Sequence, residues 1–203
     1  MPVSPRLVGL LYLVIIICGV TSEAVFRAAF RADPSLVSQG AGHLRLSMLA
    51  DLVMALADVG LAILLLALLR RFGEWLAIGA TAFRLVQAAG IAAGLGWLMA
   101  AILDAPRTAM WLSIHETGYD VSLGFFAVNC LLTGILLHRA GVAWLGWAIG
   151  LSGVVYGTGS ILRLIAPDLA TVFAPAYGLP LLAESAFCIW LLSGAPALSQ
   201  QRQ

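Results

Sequence analysis

The chain has 203 residues, of which 62% are hydrophobic and 10% charged, and a mean hydropathy of +1.00. A soluble domain carries about 45–50% apolar and about 25% charged residues, so composition excludes a water-soluble globule and points to lipid as the solvent. The net charge is +1 and the basic residues are spread along the chain, which sets nucleic acid aside as a partner; all of them are arginine, which rules out a Schiff-base lysine.

Six apolar segments follow one another, at roughly 7–30, 46–69, 75–102, 111–137, 142–166 and 173–193. Each is long enough for a hydrocarbon core about 30 Å thick. The expected fold is all-α, an integral membrane bundle of six transmembrane helices forming one domain over residues 1–203. The first segment follows Arg6 and runs on through "EAVFRAAF" without a clean small-residue cleavage site, so it reads as a helix and not as a signal peptide. It carries Glu23 and Arg27, four residues apart and on one face. After the longest connection, residues 31–45, the second segment places Asp51 and Asp58 on a common face.

The third segment contains "AFRLVQAAG", with Arg84 and Gln87 sharing a face. At about 1.5 Å per residue, Arg84 lies roughly 13–14 Å from Trp75, close to mid-membrane. The fourth opens with His115, Glu116, Tyr119 and Asp120; the fifth carries Tyr156, Ser160 and Arg163; the sixth carries Tyr177 and Glu184. Pro180 in "YGLPLLAE" removes a backbone hydrogen bond and is expected to kink the last helix. "GIAAG", "GWAIG" and "GVVYG" are small-xxx-small patterns that allow close helix packing. Cys18, Cys130 and Cys188 lie singly within spans and read as packing residues.

Arg6, Arg70, Arg71, His138, Arg139 and Arg202 fall on one side if the helices alternate, which predicts both termini in the cytoplasm. On that topology the polar residues of every helix gather in the outer half of the bilayer. The inner halves are almost wholly Leu, Ile, Val and Ala, with Asn129 and Thr133 as the main exceptions. A charge at the bilayer centre costs at least about 2.5–3.5 kcal/mol, so these groups should face the bundle interior and find partners. The expected pairs are Arg84 with Asp58 or Glu184, and Arg163 with Asp120 or Asp51; Glu116 and Arg27 read as interfacial.

The geometry predicts a polar pocket open to the outer side. Glu23, Asp51, Asp58, Asp120 and Glu184 outnumber the two deep arginines, so acid groups remain for proton transfer. Asp51, Asp58, Asp120 and Glu184 are the candidate catalytic residues. Glu23, Arg84, Gln87, His115, Tyr119, Tyr156 and Arg163 are the candidate ligand contacts. The same groups would equally serve as an ionic network that fixes helix register. His43 and His138 fall on opposite sides of the membrane, so no metal site is expected, and no cofactor.

Taken together, "GLLYLVIIICGVTSEAVFR", "ADLVMALADVGLAILLLALLR", "ATAFRLVQAAG", "IHETGYDVSLGFFAVNCLLTGILLHRAG", "WLGWAIGLSGVVYGTGSILRLIAP" and "LPLLAESAFCIWLL" cover most of residues 8–193. In these stretches the chain resembles the bacterial multi-pass membrane proteins grouped as the domain of unknown function 4386 family. "GTGS" departs from the aspartate-containing step of the family's fifth helix. The resemblance implies a six-helix protein of the bacterial cytoplasmic membrane and supplies no activity or catalytic residues.

Three functions compete. One is an enzyme that moves protons on a lipophilic small molecule in an apolar cavity. Another is a proton-coupled small-molecule transporter, for which intramembrane acids are expected parts. The third is a non-catalytic accessory protein that binds a lipophilic ligand. No nucleophile elbow, phosphate loop, HExxH or dinucleotide fingerprint is present. Besides the lipid bilayer and such a ligand, the glycine-rich faces would suit a homo-oligomer.

Overall fold

The computed structural model describes residues 3–196, and among these there is no strand. Helix α1, Pro5–Val20, continues as a single π-helical stretch, Thr21–Phe26, in which the Arg27 amide donates to Ser22 O. Two short helices follow, α2 (Ala28–Ala32) and α3 (Leu36–Gln39). Then come α4 (Gly42–Leu69), α5 (Glu74–Leu103), α6 (Thr108–Arg139), α7 (Ala143–Ile165), α8 (Pro167–Phe173) and α9 (Gly178–Leu192). Six helical segments are long and apolar enough to cross a membrane: 5–26, 42–72, 74–103, 105–139, 143–165 and 167–192.

The membrane-length helices form a closed ring. Each packs on its neighbours in sequence, α1 on α4, α4 on α5, α5 on α6 and α6 on α7, and α9 closes the ring between α7 and α1. Short connections impose this order, because antiparallel helices joined by a few residues must lie side by side. One end of the ring holds residues 27–41, 104–107 and 166–177. The other holds 70–73, 140–142 and 193–196.

Surface and interior are inverted relative to a soluble protein. Trp147 is 73% exposed and Leu182 74%, while Asp51 and Arg84 are 0% and 2% exposed. Apolar side chains left outside need lipid around them, and charges drawn inside need each other. The larger apolar core lies at the 140–142 end and includes Leu61, Leu65, Leu136, Leu145 and Leu191. A smaller one, built on Phe30, Val37, Leu44, Leu98 and Leu112, closes the 27–41 end. Residues 31–45 are therefore more than a connection: α3 inserts Val37 between α4, α5 and α6 as part of a cap.

Glycine sets the closest packing, between α6 and α7. A Cβ on Gly134 would sit 2.6 Å from Gly146 O, one on Gly146 2.6 Å from Gly134 O, and one on Gly153 2.7 Å from Ala127 O. Two of these come from the small-xxx-small patterns, while Gly150 of the same pattern has nothing near its Cβ position. At the end of α6, Gly141 adopts φ +80°, and the Val142 amide returns to Leu137 O in a Schellman-type stop.

Pro180 does not kink the last helix from within. It is the third residue of α9, where the backbone N–H has no helical acceptor to lose. The 3₁₀ segment Ala174–Tyr177 joins α8 to α9 ahead of it.

Candidate functional site

The polar residues of the interior fall into three groups at different depths. The deepest joins α4, α5, α1, α7 and α9. Arg84 donates from Nε and Nη2 to one oxygen, Asp58 Oδ1, at 2.8 and 2.6 Å. Its guanidinium carbon lies 5.3 Å from the Tyr12 ring centroid and 5.0 Å from that of Phe126. Glu184 makes no ion pair within bonding distance among the described residues. Tyr12 donates its hydroxyl to Oε2 at 3.1 Å and Tyr156 to Oε1 at 2.5 Å. The expected partner of Arg84 is thus resolved in favour of Asp58, and Glu184 is held by two phenols.

The second group lies toward the 27–41 end. Arg27 bridges Glu23 on the π-helical stretch and Asp51 on α4, and Arg31 pairs with Glu23 at 2.8 Å. Arg27 is 4% exposed, so it is an interior cation, and the expectation of an interfacial role is corrected. The π-helical stretch sits directly before it, so one residue too many in the turn accompanies the delivery of Arg27 to Asp51. Nearby, His115 Nδ1 lies 3.1 Å from Gly94 O and so carries the proton, leaving Nε2 as a buried acceptor with no partner among the described residues. The Tyr119 ring lies 5.9 Å from the Arg27 guanidinium carbon.

The third group is at the rim between α6 and α7. Arg163 donates to Asp120 at 2.5 Å and lies 3.7 Å from Glu116, with its side chain 33% exposed. Ser160 adds a hydrogen bond to Asp120 O at 2.5 Å. Asp120 is thus the partner of Arg163, and Asp51 belongs to another cluster.

A cavity of about 280 Å³ occupies the ring interior between the first two groups. Of the residues expected at a site, it brings together Asp58, Glu184, Glu23, Arg84, Gln87, Tyr119 and Tyr156, and adds Tyr177. Asp51, Asp120, His115 and Arg163 do not line it. Gln87 Oε1 is buried with no hydrogen-bond partner among the described residues. The wall on the α1 and α9 side is apolar, made by Ile16, Gly19, Val20 and Leu181, and Val20 and Leu181 are exposed on the outer surface of the ring. The cavity therefore reaches the lipid-facing surface between α1 and α9. On the opposite side, below Arg84, lies a void of about 10 Å³ whose lining includes Leu65, Leu69, Thr81, Asn129 and Thr133. Asn129 is occupied there, donating to Ala80 O at 2.8 Å.

Two residues that complete the interior lie outside the candidates drawn from the sequence, Tyr12 and Arg27. Tyr12 interrupts the otherwise apolar run "LVGLLYLVIIIC", so a depth count along α1 carries the signal for it. The four-residue spacing puts Arg27 on the face of Glu23, and its second partner, Asp51, comes from α4, which spacing within one helix does not reveal.

No curated protein matches the chain, and no solved structure does. The sequence profile of the family described as Domain of unknown function (DUF4386) matches residues 7–194, nearly the whole of the six-helix ring. The chain belongs to the DUF4386 family.

Proposed function

We propose that the chain is a single-domain, multi-pass protein of the bacterial cytoplasmic membrane that binds an amphiphilic small molecule in the ring interior, with Glu184 as its proton-exchanging group. The observation that carries this is the cavity itself. It combines a carboxyl group, a carboxamide and an arginine–aspartate pair with an apolar edge open toward lipid. A scaffold network has no need of such a space, since close packing leaves few voids larger than a water molecule.

Among the acids, Asp51, Asp58 and Asp120 are each tied to an arginine, which favours a positioning role for them. Among the described residues Glu184 is bonded to two phenols and no cation, and it lines the cavity, which favours it as the acid or base of any reaction there. Transport is the second reading, and the space below Arg84 weighs against it, since the void there is only about 10 Å³ and Leu65, Leu66, Leu69 and Leu136 pack around it. Arg6, Arg70, Arg71 and Arg139 all belong to that end, which favours a cytoplasmic location for it and for both termini.

Mass spectrometry of solvent extracts from the purified protein tests the reading. A stoichiometric small molecule is expected in the wild type and absent from Gly19→Leu, which places side-chain atoms in the cavity where the new Cβ meets only Met54 Sδ at 3.2 Å. Extracts holding only bulk lipid in both proteins would refute it.

A further inference from the structure

The charges around the cavity do not balance. Glu23 and Asp51 are together neutralised by Arg27 and Arg31. Asp58 and Arg84 cancel. Glu184 remains, a carboxyl group 8% exposed that accepts two phenolic hydrogen bonds and has no cation bonded to it among the described residues. Beside it stands a wall of three aromatic rings. Phe126 and Tyr156 have centroids 5.3 Å apart with planes at 57°, and Tyr156 and Tyr177 have centroids 5.8 Å apart at 59°. Tilted rings of this kind present both faces and edges to a space, and ring faces attract cations. Gln87, 4% exposed, also lines the cavity, and its Oε1 is buried with no donor among the described residues.

Resting on the reading of the cavity as a ligand site, we propose that its occupant is an organic cation, an apolar chain or ring system carrying one protonated amine. The ammonium group would sit against the Glu184 carboxylate and the Tyr156 and Tyr177 rings. Its apolar portion would lie along Ile16, Val20 and Leu181 toward the lipid. A phosphate or carboxylate head would place a second negative charge beside Glu184 in a medium of low dielectric, where repulsion is poorly screened. A neutral alcohol leaves the carboxylate without a counter-ion.

Native mass spectrometry of the full chain, released from a non-ionic maltoside detergent, decides the matter with three probes of one chain length: dodecylamine, dodecan-1-ol and dodecanoate. Dodecylamine is expected to bind one to one, at least about tenfold more tightly than the other two, a factor in reach of one desolvated cation–π and ion-pair contact. Glu184→Gln should erase that preference, and Gly19→Leu should abolish binding of all three. Equal binding of alcohol and amine, both lost in Gly19→Leu, would overturn the cation and leave the ligand site standing. No binding to the wild type, or binding indifferent to Gly19→Leu, would overturn the site and the cation together. The ranking of the three probes on the wild type decides the outcome even if Glu184→Gln does not fold.

Discussion

Each buried arginine in this bundle stands against a carboxylate, and the energetic weight of a pair depends on how far it is from water. Arg27 with Asp51 and Arg84 with Asp58 are at most 5% exposed at the side chain. Removing one partner leaves the other charge stranded, so Arg27→Ala and Asp58→Asn should each destabilise the fold by about 3–5 kcal/mol. Glu116→Gln at the half-exposed rim should cost about 0–1 kcal/mol. The unfolding midpoint in mixed SDS and maltoside micelles measures both, and equal losses at buried and rim positions would contradict the depth assigned to these groups. Arg84→Lys should behave like Arg84→Ala and not like wild type, because Nε and Nη2 reach the same carboxylate oxygen while the planar group lies near two rings. Full stability of Arg84→Lys by the same unfolding assay would show that a point charge suffices.

At the scale of elements, the α6–α7 contact depends on absent side chains. A methyl group at Gly134, Gly146 or Gly153 meets a backbone oxygen 2.6–2.7 Å away, which cannot move aside as a side chain can. Gly134→Ala and Gly146→Ala should each lower stability by about 1–3 kcal/mol by forcing the helices apart. Gly150→Ala, one turn along the same face, meets nothing and should be neutral or slightly stabilising. Thermal melting in detergent, read by circular dichroism, distinguishes the two classes. The end of α1 shows the opposite device: the backbone loosens into a π-helical turn, and a residue at the end of a membrane span becomes an interior one.

At the scale of the whole molecule, closure of the ring by α9 on α1 produces the cavity, since its apolar wall is the seam between those two helices. The ring also has two unlike ends. With the 140–142 end in the cytoplasm, a cysteine at exposed Glu74 should react with a membrane-impermeant maleimide only after cells are permeabilised, whereas one at exposed Gln39 should react in intact cells. The reverse pattern of labelling would invert the topology and place the cap of α2 and α3 in the cytoplasm.

Composition and hydrophobic run length by themselves determined the solvent, the helical class and the number of crossings, because a backbone in hydrocarbon must satisfy its own hydrogen bonds and has few ways to do so. Depth counting along each helix also determined that Asp58, Arg84, Gln87 and Glu184 belong to the interior, since charges in lipid turn inward. Partner choice was left to the tertiary structure. Asp58 and Glu184 were equal candidates for Arg84, and only the rotation of α9, with Tyr12 and Tyr156 on either side of Glu184, gave one to the arginine and the other to the phenols. Arg27 makes the same point more sharply: it is 4% exposed and joined to Asp51 of α4, a partner 24 residues away in sequence that only packing between the two segments brings to it.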